Sequence, residues 1–395
     1  MLDYQTAGES HGPGLVTTIT GLPAGLELDN DFINGELARR QGGYGRGGRQ
    51  KIETDRAEYL TGIRRGKTTG SPVTIFIKNK DSRLDDLERT PPVYRPRPGP
   101  AALAGSVKWL TPACREALAR ARAREPAARV AAGAVARCLL NAVGIDGLGF
   151  VRQIHTARTG AQITPSNWKQ MRDARDASDT YCPDPEVSER QREAIRQAKI
   201  DKDTAGGIVE AHYFNLPIGL GSSMDWRTKL DSRIGAAVMG IQAFKGVEIG
   251  MGFECASRRG SEVHDPIQFD ASRTDEPSLG FTRTRNNAGG LEGGMTNGSP
   301  LVVKGVMKPI ATLLQGLPSV NLQTKQPEQS QYERSDVSAV SAASVVMEHV
   351  IGFELARALV EKFAGDSMTE LTEAYAKYLE IARSLPLDPP ETTLA

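Results

Sequence analysis

The chain lacks an excess of charge of either sign: 49 Lys and Arg stand against 48 Asp and Glu, leaving +1. So balanced a molecule has no global field to attract nucleic acid or an anionic membrane, and any anion recognition must be local. It lacks long apolar runs as well; none approaches the roughly 18 residues that a spanning helix needs. With 39% hydrophobic and 25% charged residues, the composition excludes both a membrane protein and a disordered chain. Met1-Leu2-Asp3-Tyr4-Gln5 has neither the basic nor the apolar segment of an export signal, so the cytoplasm is the expected compartment. Cysteines are few. Cys114, Cys138, Cys182 and Cys255 form no C-x-x-C pair and have no His at zinc-finger spacing, so thiols rather than disulfides or zinc are expected.

Glycine, by contrast, is abundant: 41 residues, where an average chain has roughly 7%. Many fall in a repeated pattern. Gly62-Ile63-Arg64-Arg65-Gly66-Lys67-Thr68-Thr69-Gly70-Ser71-Pro72 and Gly290-Leu291-Glu292-Gly293-Gly294-Met295-Thr296-Asn297-Gly298-Ser299-Pro300 both fit G-[IL]-x-x-G-x-T-x-G-S-P. Each runs into β-branched alternation, at Val73, Ile75, Ile77 and at Leu301, Val303. Leu22-Pro23-Ala24-Gly25-Leu26 and Leu216-Pro217-Ile218-Gly219-Leu220 form a second, collinear pair. Chance likeness of glycine turns explains one pair well and two collinear pairs poorly, so an internal duplication is expected, with halves near 1–145 and 200–365. Helical patterns run over Ala113 to Val143, Glu186 to Lys199 and Ser344 to Phe363. The class is therefore mixed α/β, a single unit over 1–365 followed by a C-terminal helix and a disordered tail within 366–395. Lys78 to Pro100 joins a dense charge run to five prolines and reads as a long excursion over the surface or a site.

Four arginines, Arg39, Arg40, Arg46 and Arg49, sit in a glycine-rich stretch. Guanidinium forks bind phosphate or carboxylate bidentately, and glycines let backbone N–H groups reach the same anion, so this stretch reads as an oxyanion cradle. The rival reading, an RGG-like RNA segment, needs repeats and net positive charge. The stretch contains no Gly-Lys-Ser/Thr, and the glycine loops precede strands instead of opening helices, which excludes Walker and dinucleotide loops. Gly8-Glu9-Ser10-His11-Gly12 places an imidazole on a tight turn by a strand, either a structural histidine or a general acid. His155, His212, His264 and His349 have no such company. Glu333-Arg334-Ser335-Asp336 and Arg285-Asn286-Asn287 mix ionic or amide groups with turn-forming backbone, as both sites and surface loops do.

Together these residues resemble the chorismate synthase family, from about Tyr4 to Phe363. The resemblance rests on Gly8 to Gly12, Gly43 to Pro72, Gly246 to Gly250, Arg285 to Pro300, Met307 to Thr312 and Glu333 to Val337. It implies a homotetrameric lyase of the shikimate pathway with a β-α-β sandwich subunit built from two internally related halves. Such an enzyme converts 5-enolpyruvylshikimate 3-phosphate to chorismate and phosphate by 1,4-anti elimination with reduced FMN. No nucleic acid, membrane or metal enters. By the resemblance His11 protonates the departing phosphate with Ser10 beside it, and Asp336 helps the flavin accept the ring proton. Substrate anions are assigned to Arg40, Arg46, Arg49, Arg97, Arg124 and Arg334. The flavin is assigned to Arg120, Ala121, Arg122, Gln242, Ala243, Gly293, Lys308, Pro309, Ile310, Ala311, Thr312 and Arg334, with Arg40 and Arg46 also associated with it and with NADPH as reductant.

The chain departs from the family where Arg-Pro-Gly-His-Ala-Asp is usual and Arg97-Pro98-Gly99-Pro100-Ala101-Ala102 stands here. In the next motif Arg122 replaces Ser and Pro126 replaces Thr. A missing general acid typically lowers rate by about 10² to 10⁴, and a proline inside a helix costs about 3 kcal/mol. The alternative expectation is therefore a catalytically impaired relative that binds anions or flavin.

Overall fold

A computed structural model describes residues 1–48, 54–121, 124–333 and 335–384. In the first half, alternation decides which side of each strand is buried: Leu15, Thr17 and Ile19 on one, Val73, Ile75 and Ile77 on the other. The chain order is β1 (Asp3–Gly8), β2 (Gly14–Thr20), α1 (Asn30–Gln41), β3 (Glu58–Thr61), the hairpin β4 (Ile63–Arg64) and β5 (Lys67–Thr68), and β6 (Val73–Lys78). Then come α2 (Ala102–Trp109), α3 (Arg115–Ala121) and α4 (Pro126–Ala142). The second half opens with β7 (Asp146–Ile154), β8 (Ala157–Arg158), α5 (Trp168–Asp176), α6 (Pro185–Ile200), β9 (Gly207–Phe214), α7 (Leu230–Met239), β10 (Phe244–Ile249) and α8 (Gly260–Val263). The hairpins β11 (Ile267–Phe269) with β12 (Phe281–Arg283) and β13 (Leu291–Glu292) with β14 (Met295–Thr296) follow. After β15 (Leu301–Met307) and the pair β16 (Pro318–Val320) and β17 (Pro327–Gln329) come α9 (Val340–Phe363) and α10 (Met368–Ala382).

Both main sheets are antiparallel, ordered β1-β2-β6-β3 and β7-β9-β15-β10, with β8 added at the outer edge of β7. In each half the strands thus lie in the order first, second, fourth, third. The correspondence extends to single hydrogen bonds. Thr68 Oγ1 donates to the Pro23 carbonyl (2.6 Å) and accepts from the Leu26 amide (2.9 Å), while Thr296 Oγ1 donates to Pro217 (2.5 Å) and accepts from Leu220 (2.8 Å). Both hairpins turn through two residues of positive φ, Arg65–Gly66 and Gly293–Gly294, as two-residue antiparallel turns demand. A Cβ on Gly62 would lie 2.6 Å from the Pro72 carbonyl oxygen, and one on Gly290 2.6 Å from that of Pro300. Gly62 and Gly290 are therefore equivalent positions where the backbone admits no side chain. The fold is a β-α-β sandwich of two internally related halves.

Between the sheets, α4 lies on β2, α9 lies on β7 and β9, and the two helices pack on each other. Each is apolar on nearly every face, as a helix with protein on all sides must be. Gly133 of α4 admits that approach, since a Cβ there would lie 2.4 Å from the His349 carbonyl oxygen. The helical pattern over Ala113 to Val143 resolves into α3 and α4. Pro126 has no N–H and occupies the start of α4, where that donor has no intrahelical partner to lose. Glu186 to Lys199 lies within α6, and α9 begins four residues before Ser344. His212 and His349 are buried in β9 and α9. All four cysteines are free thiols, three of them buried.

A buried ionic cluster joins the helices. Glu348 of α9 accepts from Arg39 of α1 (2.6 Å) and Arg137 of α4 (2.6 Å), and Glu36 pairs with Arg39 and His349. Burial alone would raise the Glu348 pKa; Arg39, Arg137 and Arg175 outweigh it and hold the carboxyl at about 2. The last turn of α1, which carries Arg39 and Arg40, is thereby tied to the central layer. Replacing either repeat threonine by valine leaves a buried carbonyl and amide unpaired, so Thr68→Val and Thr296→Val should each lower stability by about 1–3 kcal/mol. Urea unfolding checks this, and a loss at one position alone would mean that the two hairpins do not do equivalent work.

Candidate active site

Loops of both halves converge on a cavity of about 740 Å³. The β1–β2 turn brings Ser10 and His11, and α1 brings Arg40. The excursion after β6 brings Asp81, Arg83 and Arg97, while α3 brings Arg115 and Ala121, with Arg124 just before α4. From the second half come Gln242 and Ala243 before β10, Lys308 to Thr312 after β15, and Glu333 and Asp336 before α9. His11 and Asp336 thus line one cavity.

Its cations are held by buried acids. Asp55, whose side chain is fully buried, accepts from Arg40 Nη2 at 2.6 Å and also from Arg124 Nη1. Gln41 Oε1 accepts from the Asp55 amide at 3.0 Å. Arg124 Nε donates to Asn79 Oδ1 (2.7 Å), and Asn79 Nδ2 donates in turn to the carbonyls of Glu9 (3.1 Å) and Gly12 (2.8 Å). The arginine and the turn that carries His11 are therefore braced by one amide. Burial lowers the pKa of Arg40; Asp55 opposes the shift and the cations of Arg46 and Arg124 add to it. Asp336 accepts from Arg46 Nη1 (2.9 Å) and from the Gly47 amide (2.6 Å), so the glycine-rich stretch supplies a backbone donor as well as a guanidinium. His11 is 7% exposed, and its Nδ1 lies 3.5 Å from Asp81 Oδ2. Lys308 Nζ donates to the Gly99 carbonyl (2.9 Å), tying the proline-rich excursion to the opposite wall.

Several buried polar atoms of cavity-lining residues have no hydrogen-bond partner among the described residues: Nε of Arg40 and Arg97, and Oε1 of Gln242. Buried groups are seldom left unsatisfied, so such donors and one acceptor around a cavity suit an anionic ligand and an N–H-bearing one. Leu118, Phe244, Met307, Pro309 and Ile310 supply an apolar surface in the same cavity. This donor set fits a planar heterocycle beside a polyanion. Arg40 is 2% exposed and paired with Asp55, so it is no part of an open basic surface. Glu36, Glu348 and His349 could between them face a metal ion, but Arg39, Arg137 and Arg175 already neutralise that cluster.

Two expected flavin positions lie away from the cavity wall. Arg120 turns outward and donates to the carbonyls of Thr6 and Gly8 at 3.0 Å. Gly293 is a turn residue of the β13–β14 hairpin, where its positive φ serves the turn. Arg49, Arg122 and Arg334 lie outside the described residues, as does the tail after 384. Asp55, Asp81 and Arg115 carry no site motif in the sequence, and each matters through a pairing with a residue distant in the chain: Arg40 and Arg124, His11, and Glu333. The Arg40–Asp55–Arg124 arrangement gives a direct test. Asp55→Asn leaves two buried guanidiniums short of a counter-charge, so it should cost about 3–5 kcal/mol. Inorganic phosphate should recover part of that loss by binding the folded form. A loss below about 1 kcal/mol on chemical denaturation, with no phosphate dependence, contradicts the arrangement.

Comparison with known proteins agrees with this architecture. A family model described as chorismate synthase matches residues 2–360. The chain is 49% identical to a chorismate synthase of Geobacter sulfurreducens, covering 97% of this chain and 100% of the relative. It is 48% identical to one of Desulforudis audaxviator, over 97% and 99%, and 47% identical to chorismate synthase 1 of Bacillus cereus, over 96% and 99%. A solved structure titled as a crystal structure of chorismate synthase superposes with a TM-score of 0.79 at 38% identity, covering 97% of this chain and 98% of that one.

Proposed function

This chain belongs to the chorismate synthase family, and on that premise we propose that the cavity beneath Ser10 and His11 carries out the family's reaction. The reaction is the 1,4-anti elimination of phosphate from 5-enolpyruvylshikimate 3-phosphate to give chorismate, in aromatic amino acid biosynthesis. What carries the reading is the meeting of His11, Asp336 and three arginines, Arg40, Arg97 and Arg124, around a single cavity, with Arg46 paired to Asp336. A substrate with one phosphate and two carboxylates needs such a concentration of guanidiniums in a chain with no net field.

The family's reaction needs a reduced flavin, and the residues that would hold FMN here are Ala121, Gln242, Ala243 and Lys308 to Thr312. When bound, reduced FMN supplies transient electron donation that lets the phosphate leave without net redox change. Arg40, Arg97 and Arg124 bind and orient the substrate anions. His11, with Asp81 facing its Nδ1, carries on Nε2 the proton that the departing phosphate takes. Ser10 lies beside it, and Asp336, held by Arg46 and Gly47, is the carboxylate that helps take up the ring proton. Where NADPH reduces the flavin, Arg40 and Arg46 are the cations for it. Among the described residues no helix is long and apolar enough to cross a membrane. The proposed setting is a cytoplasmic homotetramer, in which exposed apolar side chains such as Trp226 (71% exposed) find cover between subunits.

Three of the departures, Pro100, Ala102 and Pro126, fall on described residues. Pro126 starts a helix, and Ala102 is fully buried beside Val93, Cys114 and Leu118. Pro100 lines the cavity without a transferable proton. Anaerobic incubation with reduced FMN and substrate should release phosphate, and His11→Ala should lower the rate by about 10² to 10⁴. Absence of release from the unaltered chain would favour the impaired reading.

A further inference from the structure

Two cavity arginines converge on a carboxylate of the chain itself. Arg97 Nη2 lies 3.2 Å from Glu333 Oε2, and Arg115 Nη1 lies 2.5 Å from Glu333 Oε1. All three residues line the cavity. Arg97 comes from the excursion after β6 and Arg115 from the first turn of α3, whereas Glu333 sits on the loop before α9. Arg115 also donates through Nε (2.9 Å) and Nη2 (2.6 Å) to the Pro91 carbonyl, which leaves its Nη1 turned to Glu333. That anchoring orients the guanidinium before any ligand arrives.

Burial lowers the pKa of both guanidiniums, and Arg115 lowers that of Arg97 further. Two buried cations so close demand an anion between them. A carboxylate bridging two guanidiniums through separate oxygens is also the geometry that a ligand carboxylate would adopt there. Glu333 is the most exposed of the three: its side chain is 19% exposed, against 6% for Arg97 and 11% for Arg115, and it belongs to a loop.

We infer that Arg97 and Arg115 form a carboxylate subsite whose internal ligand is Glu333, and that a carboxylate of the substrate enters by displacing it. The inference rests on the proposed reading of the cavity as the substrate site. It adds Arg115 as a substrate ligand and Glu333 as the competitor that sets affinity. Exchange of one carboxylate for another conserves charge-assisted hydrogen bonds, so a neutral group of the same shape cannot displace Glu333 at comparable strength. The subsite thus admits ligands that bring their own negative charge.

The test is Glu333→Gln, which keeps the side chain's shape and removes the competing charge. Calorimetric titration of the full chain uses 5-enolpyruvylshikimate 3-phosphate, and malonate as a simple dicarboxylate that undergoes no turnover. Glu333→Gln should bind both more tightly, by about 10-fold, and Arg115→Gln should bind both more weakly, by at least about 10-fold. Equal or weaker binding of both by Glu333→Gln overturns the inference, and that result stands even if Arg115→Gln fails to fold. Tighter malonate binding in Glu333→Gln, from a chain that does not bind the phosphate-bearing substrate, keeps the subsite and sinks the reaction reading instead.

Discussion

Asp55 stands between Arg40 and Arg124 with its side chain fully buried, and the chemistry of the cavity depends on that placement. Guanidiniums collected to hold a polyanion repel one another, and burial deprives them of water. A carboxylate behind them permits a dense cationic wall in a chain whose charges otherwise cancel. The same solution recurs with Asp336 behind Arg46 and Glu333 between Arg97 and Arg115. These acids differ in how far they are enclosed. Asp55 is enclosed, whereas Glu333 faces the cavity and can be exchanged.

The duplicated fold explains why such a site can form. Each half contributes a sheet and a central helix, and the contact of α4 with α9 brings loops of both halves to one place. The first half delivers arginines and the imidazole. The second delivers most of the apolar surface, the Gln242 amide and Asp336. The cluster around Glu348 fixes α1 against both central helices, so the position of Arg40 follows from the packing that makes the core.

Much of this was legible in the residues. Gly62 and Gly290 of the repeated motif stand where a Cβ would meet backbone, so the recurrence of the motif pointed to two related halves. His11, Asp336, Arg40 and Arg97 stood in motifs long enough to recognise. What stayed hidden was the pairing of charges. Asp55 is an ordinary acid in sequence, and only folding brings it against Arg40 and Arg124. Arg120 does not line the cavity: its neighbour Ala121 reaches it while the Arg120 side chain turns to the carbonyls of Thr6 and Gly8. The break between α3 and α4 was hidden because alanine and arginine favour helix on both sides of Pro126.

The most direct test of the cationic well is an anaerobic crystal structure of the chain with reduced FMN and 5-enolpyruvylshikimate 3-phosphate. The account predicts the substrate phosphate within hydrogen-bonding distance of His11, and the substrate anions bound by Arg40 and Arg124 while Asp55 still bridges the two. A phosphate seated outside this cavity, or Arg40 and Arg124 parted from Asp55 and turned to solvent, would contradict it.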